Sequence, residues 1–283
     1  MITTITNSNL TARINHLGAE LCSLKNKLSI EYIWEGNPDF WGKHSPILFP
    51  IVGTLKNNAF NYKDATYHLS RHGFARDMVF ELIDKAANSA TFSIQASEDT
   101  KNKYPFDFEL QINYTLSDNS LSIGYKVINK SKTQMPFSIG AHPAFALPGD
   151  FEEYSLQFEK DEPLEYNLLQ NDLISNETKV LSSPNNLVPL KYELFENDAL
   201  IFKSLQSKYL TILKNNIPLI RVCYPSFPHL GIWTKMNAPF LCIEPWFGYS
   251  DSVESIGNLA EKEGIQIIEA DQIFDAEFSI EIL

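Results

Sequence analysis

The feature that most constrains this chain is a strict alternation of apolar and polar residues between positions 108 and 129. Apolar side chains occupy every second position in two runs, Leu110–Leu116 and Leu121–Val127, and turn-forming residues separate the runs at Ser117-Asp-Asn-Ser120. Successive side chains of a strand point to opposite faces, so a period of two gives one apolar and one polar face. The pattern therefore predicts a β-hairpin with one buried face.

Shorter runs with the same period recur along the chain and are separated by Asn, Asp, Ser, Pro and Gly. They cover residues 91–96, 209–214, 217–224, 230–234, 240–244, 265–270 and 276–283. Many short strands at regular spacing indicate an all-β sandwich or barrel. Only Pro38–His44 and Asp251–Lys262 are candidate helices. We expect a single domain over residues 1–283, with two large sheets packed face to face.

Composition excludes several classes of function. The chain has 35 acidic and 23 basic residues, for a net charge of −12, which argues against binding to nucleic acid. No apolar stretch approaches the roughly 20 residues needed to cross a bilayer, and the N-terminus has no secretory signal. Cys22, Cys223 and Cys242 are widely spaced, lack zinc-site spacing and indicate a reducing compartment. We expect a cytoplasmic protein with no metal and no membrane partner.

Three segments place ionisable residues in apolar surroundings, where burial costs several kcal/mol unless the group is partnered or neutral. They are Leu69-Ser-Arg-His-Gly-Phe-Ala-Arg-Asp77, Pro136-Phe-Ser-Ile-Gly-Ala-His-Pro-Ala-Phe145 and Phe240-Leu-Cys-Ile-Glu-Pro-Trp-Phe247. Such groups are the strongest candidates for a functional site in a chain of this kind.

The second and third segments each contain one such group next to a proline. His142 stands between Gly140-Ala141 and Pro143, which suits a strand that breaks off at a cleft. Glu244 precedes Pro245, which cannot donate a ladder hydrogen bond, so we expect the strand to end there. Glu244 beside Trp246 fits a sugar-binding corner or a structural ion pair.

A histidine and a glutamate can form a general acid and base pair that needs no metal or cofactor. Trp246 offers a flat apolar face for the C–H side of a sugar, while nearby Arg and His side chains can donate to hydroxyls. A pair of carboxyl groups would instead indicate a glycoside hydrolase, and Asp251 keeps that alternative open.

With these segments the chain resembles the aldose 1-epimerases, also called galactose mutarotase-like proteins, and is most similar to their LacX-type branch. The resemblance is carried, in order, by Ser45-Pro-Ile-Leu-Phe-Pro-Ile-Val-Gly53, Arg71-His-Gly-Phe-Ala-Arg76, Gly140-Ala-His-Pro-Ala-Phe145, Cys242-Ile-Glu-Pro-Trp246 and Glu261-Lys-Glu-Gly264. It implies a large antiparallel β-sandwich with very few short helices and a sugar cleft on one sheet.

The resemblance also implies an isomerase that interconverts the α and β anomers of a free hexose without a cofactor. Glu244 corresponds to the base that takes the proton of the anomeric hydroxyl, and His142 to the acid that protonates the ring oxygen. His142 would start protonated and Glu244 ionised. His72 corresponds to a sugar-binding histidine, and Arg71 or Arg76 would hold hydroxyls or orient Glu244.

Two alternatives remain open. Arg71, Arg76 and Lys56 are compatible with a hexose-6-phosphate 1-epimerase, although Thr54 stands where many relatives have an arginine. The second alternative is a non-catalytic carbohydrate-binding module, because proteins that share a fold can differ in function. In each case the partner is a small-molecule sugar, and we expect a monomer or a homodimer.

Overall fold

The structure is a computed structural model that describes residues 1–283, with 51% of them in strands and 8% in helices. Its first twelve strands are β1 (Ile2–Thr6), β2 (Leu10–Asn15), β3 (Glu20–Asn26), β4 (Ile47–Leu48), β5 (Ala59–Tyr62), β6 (Ala65–His68), β7 (Glu81–Lys85), β8 (Ser89–Gln95), β9 (Phe108–Ser117), β10 (Ser120–Asn129), β11 (Met135–Phe137) and β12 (Ile139–Ala141). The others are β13 (Ala144–Ala146), β14 (Tyr154–Phe158), β15 (Leu164–Gln170), β16 (Leu173–Leu181), β17 (Leu187–Pro189), β18 (Leu200–Phe202), β19 (Tyr209–Lys214), β20 (Ile217–Cys223), β21 (His229–Trp233), β22 (Phe240–Phe247), β23 (Gln266–Ile268) and β24 (Ile273–Ile282).

Two large antiparallel sheets form the body of the protein. One has nine strands in the order β17-β14-β19-β20-β24-β10-β9-β8-β7. The other has eight strands in the order β16-β15-β18-β21-β22-β12-β4, with β13 also paired to β22. Smaller sheets are formed by β1-β2-β3, β11-β23 and β5-β6. The prediction of a large antiparallel β-sandwich is confirmed.

The hairpin predicted from the alternation is present as β9 and β10, and its inward positions are buried. The two large sheets meet through aromatic contacts. The rings of Phe158 on β14 and Phe202 on β18 lie 6.1 Å apart, and those of Phe247 on β22 and Phe274 on β24 lie 4.9 Å apart. Burying each such side chain contributes about 1.5–3 kcal/mol, so this shared core is the main stabilising contribution.

Helices are short, as expected, but all except one lie outside the two predicted segments. The α-helix is α1 (Glu98–Lys101), and the 3-10 turns are Lys56–Asn58, Ala75–Asp77, Phe151–Glu153, Pro184–Asn186, Tyr192–Phe195 and Leu259–Glu261. Pro38–His44 forms turns, and Asp251–Lys262 contains only one 3-10 turn. No helix in the structure is long and apolar enough to cross a membrane.

The expectation that the third segment leaves its strand at Glu244 is wrong, because β22 continues through Pro245 to Phe247. The neighbouring strand explains why the proline is tolerated. β12 ends at Ala141 and β13 begins at Ala144, so the ladder on that side of β22 is interrupted. The N–H of Ile243 bonds the carbonyl of Pro143 on this side. The nitrogen of Pro245, two residues on, faces the same interrupted side, where no ladder donor is required.

Candidate active site

The alternation of β22 divides its side chains between two environments. Leu241 and Ile243 belong to the main core between the sheets. Cys242, Glu244 and Trp246 therefore point to the opposite face of the eight-stranded sheet. This face forms the floor of a cleft of about 340 Å³, lined by Trp41, Arg71, His72, Arg76, His142, Asp198, Ala199, Trp233, Glu244 and Trp246.

His142 reaches this floor because the chain breaks between β12 and β13 directly beside β22. Its Nε2 lies 3.3 Å from Oε2 of Glu244, a contact that lacks the alignment of a hydrogen bond. The Glu244 side chain is only 2% exposed, and its Oε2 has no hydrogen-bond partner. A buried carboxyl oxygen that has no hydrogen-bond partner and lies next to an imidazole is costly for folding and typical of a functional site.

Burial controls the protonation of this pair. It lowers the pKa of the His142 imidazole to about 3, and the cations Arg71 and Arg76 also lower it. It raises the pKa of the Glu244 carboxyl well above its usual value. Burial therefore favours the uncharged forms, imidazole and carboxylic acid, over the expected imidazolium and carboxylate, because each charge loses its hydration in the cleft. The pair still holds one proton in total.

Trp246 forms the apolar part of the floor, with its Nε1 donating to the carbonyl of Ala141 at 3.1 Å. Its indole lies over the backbones of Gly140 on β12 and Gly231 on β21, and a Cβ atom at either glycine would collide with the ring. Trp246 is itself buried, so it is a flat base beneath the cleft rather than a mobile wall.

His72 is held in one orientation by two bonds to Gly53. Its backbone, at φ +69°, donates to the Gly53 carbonyl at 2.8 Å, and its Nδ1 accepts from the Gly53 N–H at 3.1 Å. Burial lowers the pKa of His72 well below its usual value, so the ring is neutral. Its other nitrogen, Nε2, lies 3.3 Å from Arg71 Nε, whose N–H points to it. His72 is therefore fixed between Gly53 and Arg71 at this end of the cleft.

The two arginines form a layer on the cleft wall. Arg71 pairs with Asp172 at 3.1 Å and with Asp198 at 3.7 Å, while Arg76 donates to the Arg71 carbonyl at 2.8 Å. Neither arginine hydrogen-bonds Glu244, so the structure contains no direct contact through which they would orient it.

A buried ion pair lies within the segment after β22, and its carboxylate, Asp251, joins this segment to the loop that holds His72. Lys262 Nζ lies 3.2 Å from Asp251 Oδ1, and both side chains are 3% exposed. The Asp251 N–H donates to the Thr54 carbonyl at 2.8 Å, and its Oδ2 accepts from the Lys56 N–H at 2.9 Å. Because Thr54 follows the residue bonded to His72, this pair supports the geometry of the cleft. Asp251 is thus structural, and the two-carboxylate alternative loses its second group.

Comparison with known proteins identifies the family. A sequence model of the family described as aldose 1-epimerase matches residues 1–254. The chain belongs to the aldose 1-epimerase family. Its members are isomerases that act on carbohydrates, and a mutarotase-type role follows for this chain.

Relatives of this aldose 1-epimerase homologue include the plasmid-encoded protein LacX of Lactococcus lactis, which is 36% identical over 274 residues and 90% of each chain. A galactose mutarotase related enzyme from Lactobacillus acidophilus has a structure with a TM-score of 0.95 at 34% identity, covering 100% of this chain and 97% of its own. A galactose mutarotase-like protein from Lactobacillus casei has a TM-score of 0.93 at 31% identity, with both chains fully covered. The predicted resemblance to the LacX-type branch is confirmed.

The structure brings all six predicted site residues of this epimerase homologue to one cleft: Arg71, His72, Arg76, His142, Glu244 and Trp246. It adds Trp41, which stacks on His142 with ring centroids 4.8 Å apart, and Trp233, whose ring is 5.9 Å from His142. Asp198 was also missed. Of these, only Trp233 carries a sequence signal, because it shares the outward face of β21 with Gly231.

A larger groove of about 560 Å³ lies elsewhere on the epimerase homologue, over β9, β10 and β24 of the nine-stranded sheet. Its polar lining includes Gln111, Asn113, Lys126 and Glu277. It contains no histidine, so it lacks the acid and base pair of the cleft.

Proposed function

We propose that this protein is a mutarotase that interconverts the α and β anomers of a free hexose. The observation that carries the proposal is the buried contact of 3.3 Å between His142 Nε2 and Glu244 Oε2 on the floor of a cleft. The cleft volume of about 340 Å³ suits a small ligand, and tryptophans on its floor and walls suit the apolar face of a sugar ring.

In the proposed reaction Glu244 takes the proton from the anomeric hydroxyl while His142 gives a proton to the ring oxygen. The C1–O5 bond breaks, and an open-chain aldehyde forms. After rotation about C1–C2, the O5 hydroxyl adds to the other face of the aldehyde. Both proton transfers then run in reverse. Each group contributes about 10²–10⁴-fold to such a reaction.

This cycle requires one proton on the pair, which the pKa directions of the two buried groups support. Before ring opening this proton passes from Glu244 to His142 across their 3.3 Å contact. Ring opening then moves it from His142 to the ring oxygen and places the proton of the anomeric hydroxyl on Glu244. The pair therefore changes from imidazolium and carboxylate to imidazole and carboxylic acid without a change in net charge. The neutral arrangement favoured by burial is the one present when the sugar ring is open.

We assign sugar binding to the side chains around this pair. The imidazole of His72 lies at the ring-oxygen end of the bound sugar, and the guanidinium of Arg71 faces hydroxyl groups. Trp41 and Trp246 provide apolar faces. Arg76 acts on Arg71 through its carbonyl contact rather than on the sugar.

Anomer exchange measured directly tests this function. We expect polarimetry on freshly dissolved α-galactose and α-glucose, and exchange NMR at equilibrium, to give rates that rise in proportion to protein concentration. Exchange no faster than in buffer across a panel of aldoses would refute the proposal. Saturable sugar binding without exchange would instead identify a carbohydrate-binding module.

A comparison of glucose with glucose 6-phosphate as substrates tests the alternative that the protein is a hexose-6-phosphate 1-epimerase. Lys56 does not line the cleft, because its Nζ donates to the carbonyls of Val253 and Ser255. Arg71 is already paired with two aspartates, which would repel a phosphate. We therefore expect no gain in kcat/KM from the phosphate. A clear gain would redirect the proposal to a hexose-6-phosphate epimerase.

The acid limb of the kcat/KM profile should be centred near pH 3. An ordinary glutamate gains its proton near pH 4.3, but here a second proton enters the pair only near the His142 pKa of about 3. On the alkaline side, the proton leaves the pair only above the raised pKa of Glu244. Polarimetry with the buffer-catalysed rate subtracted measures this profile. A loss of kcat/KM centred near pH 4.3 as the pH falls would contradict it.

We also retain the predictions of a single domain over residues 1–283, a cytoplasmic location and a monomer or homodimer. The main buried cluster supports the first of these, because it extends from Ile5 to Ile282 and includes both large sheets.

A further inference from the structure

Three side chains with different metal-binding atoms meet at the base of the cleft. His142 and Glu244 line the cleft, and Cys242 is buried next to them. One ring nitrogen of His142, the sulfur of Cys242 and one carboxylate oxygen of Glu244 all lie within 4.8 Å of one another. Cys242 and Glu244 are two residues apart on β22 and share its outward face, while His142 comes from the break between β12 and β13. His142 lies a hundred residues before Cys242 in the sequence, so the spacing of the cysteines gives no sign of a zinc site.

The three groups are buried and incompletely partnered. His142 is 8% exposed, Glu244 is 1% exposed and Cys242 is fully buried. Neither Nδ1 of His142 nor Oε2 of Glu244 has a hydrogen-bond partner. The proposed proton chemistry uses His142 and Glu244, but it leaves the thiol of Cys242 without a role.

The separations fit a small tetrahedral ion better than a large one. Bonds of about 2.0–2.2 Å from zinc to nitrogen and oxygen place those two ligand atoms about 3.3–3.5 Å apart in a tetrahedron. The measured separation of His142 Nε2 and Glu244 Oε2 is 3.3 Å. The sulfur lies within 4.8 Å and needs a side-chain movement of about 1 Å to reach a zinc–sulfur bond of about 2.3 Å.

The donor set also selects the class of metal. Thiolate, imidazole and carboxylate together suit Zn²⁺ and chemically similar ions such as Co²⁺ and Cd²⁺, whereas Mg²⁺ and Ca²⁺ prefer oxygen ligands alone. Three protein ligands leave a fourth coordination position, which faces the cleft through which the ion enters.

We propose that His142, Cys242 and Glu244 form a Zn²⁺ site and that the bound ion inhibits the enzyme. Binding forms bonds from zinc to nitrogen, sulfur and oxygen, and it releases the thiol and carboxyl protons to solvent. The ion would occupy the two groups that move protons, so the cleft would bind either zinc or a reacting sugar. The metal site itself stands independently of the function proposed above, whereas the inhibition rests on it.

Titration of the purified, chelator-treated protein with Co²⁺ tests the site without any sugar. We expect one Co²⁺ per chain and a near-ultraviolet charge-transfer band from the thiolate, which Zn²⁺ removes by competition. Cys242→Ser should lose the band and bind at least about tenfold more weakly. Cys223→Ser is the matched control, because this half-buried thiol on β20 is remote from the cleft. No band at millimolar Co²⁺, or an unchanged band in Cys242→Ser, would overturn the site.

The ratio of anomer exchange rates with and without Zn²⁺ tests inhibition for each variant separately. Wild type and Cys223→Ser should be inhibited and should recover with EDTA, whereas Cys242→Ser should require at least about tenfold more zinc. A Co²⁺ band with no effect of zinc on the rate would overturn the inhibition. If no exchange is catalysed at all, the function proposed above fails, and the Co²⁺ band still decides the metal site.

Discussion

Replacing Glu244 with Gln is expected to lower kcat for anomer exchange by about 10²–10⁴-fold, because the amide cannot accept the proton of the anomeric hydroxyl. The effect should appear in kcat more than in KM, since the amide still fits the floor of the cleft. Polarimetry on α-galactose measures both values. The fold should be kept, because burial favours the uncharged carboxyl group and Gln has nearly the same shape.

The matched control is Glu152→Gln, which makes the same chemical change at an exposed residue of a 3-10 turn. Its kcat should equal that of wild type. Circular dichroism and urea unfolding should show that both variants remain folded, so that the loss in Glu244→Gln can be assigned to chemistry. A Glu244→Gln variant within about tenfold of the wild-type rate would remove Glu244 from the proposed role.

Lys262→Met is expected to destabilise the protein by about 3–5 kcal/mol, because it leaves the buried carboxylate of Asp251 without its cation. The substitution also removes the Lys262 donor to the carbonyl of Tyr249. The loop from Thr54 to Lys56 depends on Asp251, so the orientation of His72 should loosen as well. Urea denaturation monitored by tryptophan fluorescence gives the change in free energy of unfolding.

Two further variants distinguish the cost of leaving the Asp251 charge unpaired from the general cost of removing a lysine. Lys126→Met removes a lysine that is 44% exposed and lies 4.0 Å from Asp275, and it should change stability by less than about 1 kcal/mol. Adding Asp251→Asn to Lys262→Met should restore part of the stability, because the amide keeps an acceptor for Lys56 without the charge. Equal effects of Lys262→Met and Lys126→Met would contradict a special role for the buried pair.

The architecture could be predicted because most strands of a two-sheet sandwich bury one face, which leaves a period of two in the sequence. Helices were harder to place. Asp251 resembled a helix cap, but its side chain pairs with Lys262 and its N–H with Thr54. The helix that does form follows Ser97, whose capping box uses Thr100, and its four residues are too few to show a helical period. The continuation of β22 through Pro245 depends on the gap beside it, which no local pattern contains.

The candidate site could be predicted only where an ionisable group interrupts an apolar run. His142 and Glu244 stand out in this way, and they lie where the strands meet. Trp41 and Asp198 reach the cleft from loops, where a single residue carries no periodicity. The protonation of the pair was also beyond sequence reasoning, because it depends on how completely the folded protein excludes water from both groups.

The base of the cleft is built by three strands: β22 contributes Trp246, and β12 and β21 contribute the glycines beneath its ring. The indole extends from Gly140 on β12 to Gly231 on β21, and it fits only because both positions lack a side chain. Evolutionary change here is therefore coupled: a relative that acquires a side chain at either glycine position must also give up the tryptophan, so these three positions should covary across homologous sequences.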